Sequence, residues 1–178
     1  MVWKIIPSGF FYQNQLRCAR VMVKYYIPLA DVNQQTISPP ATRRADEVVS
    51  AETIKGTPYN LIERMLMPAL GAAVKKCARE QISVDLARTA IALERYRLAH
   101  GEFPESLDAL APQFIAQVPH DVAGGQPLKY RRTNDGQFDL YSVGWNEKDD
   151  GGVTGYRKNS TVPDFESGDW VWRYPQRQ

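Results

Sequence analysis

The stretch from Gly144 to Gly152 holds the residues whose types and spacing best fit a chemical role. Its oxygen-bearing side chains, set between glycines, are Asn146, Glu147, Asp149 and Asp150. Calcium takes about six to eight oxygen ligands from carboxylates, amides and backbone carbonyls on a flexible loop. The same letters are typical of an acidic surface turn, because Asp and Gly suit tight backbone angles. A calcium site and a simple turn are therefore both open interpretations.

The two histidines, His100 and His120, are the candidates for proton transfer. His100 is expected at the carboxyl end of a helix, where a cation interacts favourably with the helix dipole, and that role accounts for it. His120 precedes Asp121, so the two could act as a base and the group that orients it. Adjacent residues usually point apart, and the chain has no Gly-x-Ser-x-Gly nucleophile motif. A hydrolase is thus the least supported function.

Aromatic residues are frequent in the last third of the chain. They are Trp145, Tyr156, Trp170, Trp172 and Tyr174. Such residues dominate contact surfaces for sugars or proteins, but they also fill cores because each buries a large area. We expect at least half of them in the core. Trp170 and Trp172 should share one face of a strand, because strand side chains alternate with a period of two.

The two cysteines, Cys18 and Cys77, lie far apart in sequence, each within an apolar helical pattern. Small, soft side chains fill space well in such positions, which favours buried free thiols. A disulfide between them stays open, because it depends on a Cα separation that the sequence does not give. Neither cysteine has the closely spaced partner of a zinc or redox motif.

Composition and charge are those of an ordinary globular protein. The 178 residues include 22 Lys and Arg against 20 Asp and Glu, spread among one another, which argues against nucleic-acid binding. No run of about 18 apolar residues occurs, so we expect no membrane span. The start, Met1 to Ile6, is too short for the apolar region of a signal peptide. We expect a cytoplasmic protein if the chain is complete, and a periplasmic or cell-envelope one if it is a fragment of an exported protein.

Two helices are predicted from apolar residues three or four apart. The first covers Gln13–Tyr26 and ends near Pro28, and the second runs from Asn60 to about His100, beginning or kinking at Pro68. The polar stretch from Asp31 to Thr57 is expected to be a long surface connection with one short helical turn at Ala45–Val49. A short third helix is predicted over Pro104–Ala111, with Leu107 and Leu110 turned inward.

The last part of the chain is predicted to form strands. Alternation over Leu128–Arg132 and Phe138–Ser142, joined by the turn residues Thr133–Gly136, is typical of a β-hairpin. Two further strands are predicted at Val153–Arg157 and Trp170–Tyr174. The fold class is therefore α+β, with a long helix packed on a small antiparallel sheet and an extra N-terminal helix.

Several short motifs follow one another between Pro68 and Gly152, a region that covers about half of the chain. They are the helix end from Leu93 to Pro104, Ser106-Leu-Asp-Ala-Leu, Val118-Pro119 with Asp121, Tyr130, Asp135-Gly136, and Asp139-Leu-Tyr-Ser-Val-Gly144. In this order they resemble the soluble head of the major pseudopilins of type II secretion. The segment from Phe11 to Leu16 also looks like the C-terminal region of longer bacterial proteins that end in a similar sheet.

The resemblance implies a set of metal ligands in the loop. The carbonyl of Val143 and the side chain of Asn146 stand where the family binds calcium, with Asp149, Asp150 or Asp169 as further ligands. Two departures weaken it: Asn146 replaces an aspartate of the family, and Lys148 adds a cation. We also expect this protein to lack the leader and the apolar helix half of pseudopilins, and residues 1–57 have no family counterpart.

These observations predict an N-terminal helical extension and linker over residues 1–58 and a pseudopilin-like domain over residues 59–178. The leading function is a non-enzymatic interaction or assembly module, not inserted in a membrane, that binds a protein partner or itself. The alternative is a module that binds a glycan or a peptide through its aromatic C-terminal sheet.

Overall fold

The computed structural model describes residues 8–172, and its α+β fold confirms the predicted class. Within this range there are three α-helices: α1 (Ser8–Val21), α2 (Pro39–Thr53) and α3 (Leu61–His100). Contacts divide the described chain into two compact units, residues 8–76 and residues 77–172, with α3 running through the division. The domain boundary after residue 58 stays a prediction. Residues 1–6 and Tyr174, which carried two of the expectations above, lie outside the described range.

The first helix starts earlier than predicted, at Ser8 instead of Gln13, and continues beyond α1 as a π-helix over Met22–Tyr26. A 3₁₀ turn over Ile27–Leu29 follows, and Pro28 lies within it, so the helical stretch does end near this proline. Two short strands come next, β1 (Ala30–Asp31) and β2 (Thr36–Ile37), which pair antiparallel.

The predicted surface connection over Asp31–Thr57 is wrong, because most of it forms α2. The Ser38 hydroxyl accepts a hydrogen bond from the Ala41 N–H at 3.3 Å and caps the helix. Pro39 and Pro40 occupy the first positions, where no N–H is needed. Ala45 and Val49 then fall one turn apart and are buried, so the short turn expected there is part of a 15-residue helix.

The core of the unit formed by residues 8–76 lies between α1, α2 and the start of α3. Its buried members are Val21, Tyr26, Leu29, Ala45, Val49 and Met67. The buried Asn14 side chain joins the helices: its Nδ2 donates to the carbonyls of Phe10 and Pro58, and its Oδ1 accepts from the Ile62 N–H at 3.0 Å. The first helix is therefore joined to the beginning of α3 within this unit.

The long helix α3 confirms the helix predicted from Asn60 to about His100. It begins after a 3₁₀ turn at Pro58–Asn60, where the Asn60 side chain accepts from the Thr57 N–H at 2.7 Å. Pro68 lies inside the helix, which continues past it with one N–H donor fewer. The helix ends at His100, and the following Gly101 has a positive φ of 86° and donates its N–H to the Arg97 carbonyl. Within residues 8–172, no helix carries an apolar stretch able to cross a bilayer.

The predicted hairpin is confirmed in the unit formed by residues 77–172. Strands β3 (Lys129–Arg132) and β4 (Phe138–Ser142) pair antiparallel, with Tyr130 opposite Leu140. Strand β7 (Trp170–Trp172) joins the other edge of β4, which gives the order β3-β4-β7. The short helix predicted over Pro104–Ala111 is a 3₁₀ turn at Leu107–Leu110, whose two leucines are buried as expected.

A separate two-stranded sheet lies between β4 and β7 in sequence. Strand β5 (Thr154–Tyr156) falls where the sequence predicts a strand, but its partner β6 (Pro163–Gly168) was not predicted. Residues such as Pro, Asp and Gly are depleted in strands, so β6 carries no pattern that would reveal it. The core of this unit combines the sheet with one face of α3. Its α3 members are Ala78, Ile82, Leu86, Ala90 and Leu93.

Candidate functional site

The loop after β4, Gly144–Gly152, is held closed by the carboxylate of Asp169. This side chain is fully buried, and it accepts the N–H of Asp150 at 3.2 Å and the N–H of Gly152 at 2.6 Å. Asp169 directly precedes β7, so the two bonds tie the loop to the sheet. Gly144 is required at the start of the loop, since its φ is 72° and a Cβ there would lie 2.7 Å from the Gly168 carbonyl oxygen.

Two of the predicted calcium ligands, Asn146 and Asp150, are brought into contact. The Asn146 Nδ2 donates to Asp150 Oδ2 at 3.1 Å, and the Lys148 ammonium lies 2.8 Å from Asp150 Oδ1. The hydrogen bond from Lys148, followed by that from Asn146, holds the pKa of Asp150 below its ordinary value. Lys148 therefore supplies this carboxylate with a positive charge from within the loop.

Asp149 faces other partners. Its Oδ1 accepts from the Tyr141 hydroxyl at 3.1 Å and the Gly151 N–H at 3.0 Å, and its Oδ2 lies 3.4 Å from the Lys129 ammonium. The Gly151 N–H makes the largest contribution to lowering the pKa of Asp149. Val143, whose carbonyl completes the predicted ligand set, is a buried residue that directly follows β4.

The described residues therefore do not form a calcium cage in this arrangement. Across residues 8–172, no three Asp, Glu, His or Cys side chains stand where they could hold a metal ion together. A calcium ion would have to compete with the Lys148 ammonium for Asp150, and the N–H groups of Asp150 and Gly152 already occupy Asp169. The arrangement fits a loop closed by its own hydrogen bonds, and calcium binding stays a prediction of the sequence.

His100 and Asp121, two of the candidates for proton transfer, both make contacts with the backbone of their own segments. His100 lies at the end of α3 as predicted, with its Nδ1 3.0 Å from the Tyr96 carbonyl oxygen and its ring stacked on Tyr96. Asp121 is buried and accepts the Ala123 N–H at 2.9 Å, while its own N–H donates to the Gln126 carbonyl. These bonds build the turn that follows His120.

The cysteines differ from the expectation in one respect. Both are free thiols, but Cys77 is exposed on α3 and only Cys18 is partly buried. The prediction of two buried thiols is therefore wrong for Cys77. Its position has the right spacing for an apolar helix, but on the face of α3 that points away from the core. Burial raises the pKa of the Cys18 thiol.

In the unit formed by residues 77–172, a groove of about 420 Å³ opens between α3 and the C-terminal strands. Its lining combines apolar rings with a few polar groups: Arg79, Ser83 and Leu86 from α3, Tyr156 from β5, Asp164 and Phe165 from β6, and Trp170 and Trp172 from β7. The Arg79 guanidinium lies over the Phe165 ring, 3.5 Å from its centroid. Concave, largely apolar sites with a few placed polar groups are typical of ligand binding.

The aromatic residues divide between core and groove. Trp145 and Trp170 are buried, as expected for core filling, and Trp170 also lines the groove together with Trp172 and the half-exposed Tyr156. Sequence reasoning missed Phe165 and Arg79, because strand β6, which carries Phe165, was not predicted. No pattern in the sequence places Arg79 beside Phe165.

A second surface lies on α3, opposite its buried face. Val84, Ile91 and Leu98 are 54%, 61% and 72% exposed, and Cys77 precedes them on the same line. The four residues follow one another at intervals of seven. Sequence reasoning concentrated on the buried stripe of α3 and missed this line, although its spacing is visible in the sequence.

Comparisons with protein-family models, with curated proteins and with solved structures return no match for this chain.

Proposed function

We propose that this chain is a non-enzymatic interaction module whose long helix and small sheet resemble a pseudopilin head. The observation that carries the proposal is the exposed line of Cys77, Val84, Ile91 and Leu98 on α3. Single exposed apolar residues are ordinary on a protein surface, but a regular row of them along one side of a helix is typical of a contact surface. Calcium in the acidic loop is a separate prediction on which this function does not depend.

A photo-crosslinking amino acid at position 91 tests the proposal in the native host. We expect a discrete adduct, because Ile91 lies in the middle of the exposed line. The matched control carries the same amino acid at Val153, which is 62% exposed and therefore as accessible as Ile91, but lies on the loop before β5. The absence of an adduct at position 91, or equal adducts at both positions, would overturn the proposal.

A second candidate function, recognition of a glycan or a peptide, is favoured by the groove between α3 and β5, β6 and β7. Its aromatic rings offer flat apolar platforms, and Arg79, Ser83 and Asp164 offer hydrogen bonds at the edge. A sugar ring or an extended peptide could use both kinds of contact. The groove and the exposed line of α3 are different surfaces, so the two functions can be tested independently.

Titration with neutral oligosaccharides and, separately, with proline-rich and aromatic peptides tests the groove. We expect a saturable change in tryptophan fluorescence, because Trp170 and Trp172 line it. Phe165→Ala should weaken binding by about tenfold, since an aromatic anchor contributes more than about 1 kcal/mol. Val162→Ala, an exposed neighbour that does not line the groove, is the control. No change with either set of ligands, or equal binding by both variants, would contradict this candidate.

A further inference from the structure

The first part of α3 exposes apolar residues on the side that faces away from the core of its unit. From Met65 to Val74 the chain has ten consecutive residues without a charge. The exposed ones, together with Leu61, form what we call the 61–73 face: Leu61, Met65, Leu66, Pro68, Ala69, Ala72 and Ala73. At 100° per residue they cover an arc of about 160° around the helix. The three large members, Leu61, Met65 and Leu66, are 49%, 71% and 51% exposed.

The opposite side of this part of α3 is buried. Met67 belongs to the core of the unit, and the Asp46 carboxylate of α2 lies against Gly71. A helix that is apolar on both sides is typical of a helix that is also covered on both sides. Ten residues span about 15 Å at 1.5 Å per residue, about half of the 30 Å hydrocarbon core of a bilayer. An exposed apolar stretch of this length therefore suits the surface of a bilayer and not a passage across it.

The exposed charges around the 61–73 face are cations. Lys55, Arg64 and Lys76 are exposed, and the Arg64 guanidinium lies against the backbone of Gly56, next to Lys55. Positive charges therefore flank the apolar stretch at both ends. The one acid between residues 53 and 76, Glu63, is buried and forms an ion pair with α1. The charge at the rim of this face is therefore positive.

The charge of the whole unit has the same sign. Residues 8–76 contain nine Lys and Arg against five Asp and Glu, whereas residues 77–172 contain ten against fifteen. The two units of the described chain therefore have opposite net charges. An apolar helix face with a basic rim is typical of a segment that lies on an anionic bilayer, where each Lys or Arg near the surface raises binding about fivefold.

We propose that the unit formed by residues 8–76 binds the surface of an anionic lipid bilayer through the 61–73 face. The three large side chains enter the boundary between headgroups and acyl chains, and the three cations meet lipid phosphates. A second copy of the same face is a poorer partner, because cations would then meet cations. A nucleic acid would engage the cations alone, because its affinity comes from neutralised phosphates.

This inference goes beyond the proposed function and does not depend on it. The proposed function concerns the exposed line of Cys77, Val84, Ile91 and Leu98, which belongs to the other unit. Either surface can fail its test without affecting the other.

Flotation of the purified full chain with unilamellar vesicles tests the inference. We expect binding to vesicles that contain about one third phosphatidylglycerol, and binding at least about tenfold weaker to pure phosphatidylcholine, because the cations then lose their attraction. Met65→Glu should weaken binding by at least about tenfold, since it places a carboxylate in the apolar face beside anionic lipid. Val153→Glu makes the same change of charge at an exposed valine on the loop before β5 and should bind as the wild type does.

A pair of double variants tests the cations. Lys55→Gln with Lys76→Gln should lower binding to the anionic vesicles by about 25-fold, at about fivefold for each cation. Arg157→Gln with Lys158→Gln removes two exposed cations from the connection between β5 and β6, and its effect should be much smaller. Equal losses in the two double variants would show that net charge alone controls binding and would overturn the inference.

Insertion of the apolar side chains distinguishes binding to a bilayer from simple attraction of charges. The fluorescence of Met65→Trp should be quenched by lipids with brominated acyl chains more strongly than that of the wild type, whereas Val153→Trp should behave as the wild type does. Lack of this extra quenching, or vesicle binding unaffected by Met65→Glu, would overturn the inference. Binding to a DNA duplex without binding to vesicles would overturn it as well. If a photo-crosslinking amino acid at position 65 captures a protein in cells while the purified chain binds no vesicle, the inference fails, and crosslinking at position 91 still tests the proposed function.

Discussion

Replacing Asp169 with alanine is expected to lower the free energy of unfolding by about 3 kcal/mol, since hydrogen bonds to a charged group are worth about 1.5–3 kcal/mol each. The carboxylate is fully buried and accepts two N–H groups, those of Asp150 and Gly152. Alanine removes both acceptors at once and leaves the two donors unsatisfied. Urea unfolding followed by tryptophan fluorescence measures the loss, because Trp145 lies in the same loop.

Two matched variants identify the cause. Asp169→Asn keeps the volume and one acceptor oxygen, so it should lose less stability than Asp169→Ala. Asp149→Ala removes a carboxylate of the same loop that is exposed and faces Tyr141 and Lys129, and its effect should be much smaller. Equal losses in Asp149→Ala and Asp169→Ala would show that the loop is not held by the buried carboxylate.

Melting temperatures with calcium and with a chelator complete this experiment. A ligand that binds only the folded state raises its stability in proportion to the logarithm of the ligand concentration. With Lys148 bound to Asp150 inside the loop, we expect the melting temperature to be the same under both conditions. A rise with calcium that disappears in Asp169→Ala would instead establish the calcium site that the sequence predicts.

The elements that the sequence predicted well are those whose pattern is dictated by one-sided burial. The apolar residues of α3 repeat three or four apart because one face is buried, and the alternation of β3 and β4 has the same cause. The turn before Phe138 could also be predicted, because Asp135-Gly136 suits tight backbone angles and Gly136 has a φ of 72°. In these segments the preferences of the individual residues and the packing of the folded chain favour the same secondary structure.

The missed elements are those in which packing overrides composition. Helix α2 is polar overall, and its two prolines indicate a loop until Ser38 is recognised as the cap that precedes them. Strand β6 contains Pro163, Asp164 and Gly168, and it exists because β5 offers it a partner. The groove depends on this strand, so no reading of the sequence alone could have placed Phe165 against α3.

The candidate loop shows the same limit at the level of side chains. Its residue types indicated oxygen ligands for calcium, and the structure does bring Asn146 and Asp150 together. The residue types could not show that Lys148 would pair with Asp150, or that Asp169 would accept hydrogen bonds from backbone N–H groups of the same loop. The composition of a loop gives the number of its oxygen atoms. Whether those oxygens can bind a metal depends on which hydrogen-bond donors the fold places beside them.

The second large effect concerns pH. Burial raises the pKa of Asp121 to about 6, against the opposing influence of the Ser142 hydroxyl, the N–H groups of Ala123 and Val143, and the charge of His120. An unfolded aspartate has a pKa near 3.9, so between about pH 4 and pH 6 the folded state binds a proton that the unfolded state has released. Stability must then fall as the pH rises through this window.

The size of the fall follows from the difference of about two pKa units at 1.36 kcal/mol each, which gives about 3 kcal/mol. Urea unfolding at several pH values between about 4 and 7 measures it. The informative quantity is the difference between wild type and Asp121→Asn, because other groups titrate in both proteins. We expect the variant to lack this decline, since its side chain cannot ionise.

An exposed aspartate provides the control. Asp108→Asn, in the 3₁₀ turn at Leu107–Leu110, should keep the pH dependence of the wild type, because Asp108 is exposed whereas Asp121 is buried beside β4. Asp121→Asn also changes the turn in which Asp121 accepts the Ala123 N–H, so its stability at one pH could move in either direction. The slope against pH separates ionisation from packing, and an unchanged slope in Asp121→Asn would show that this buried carboxyl group does not govern the acid range.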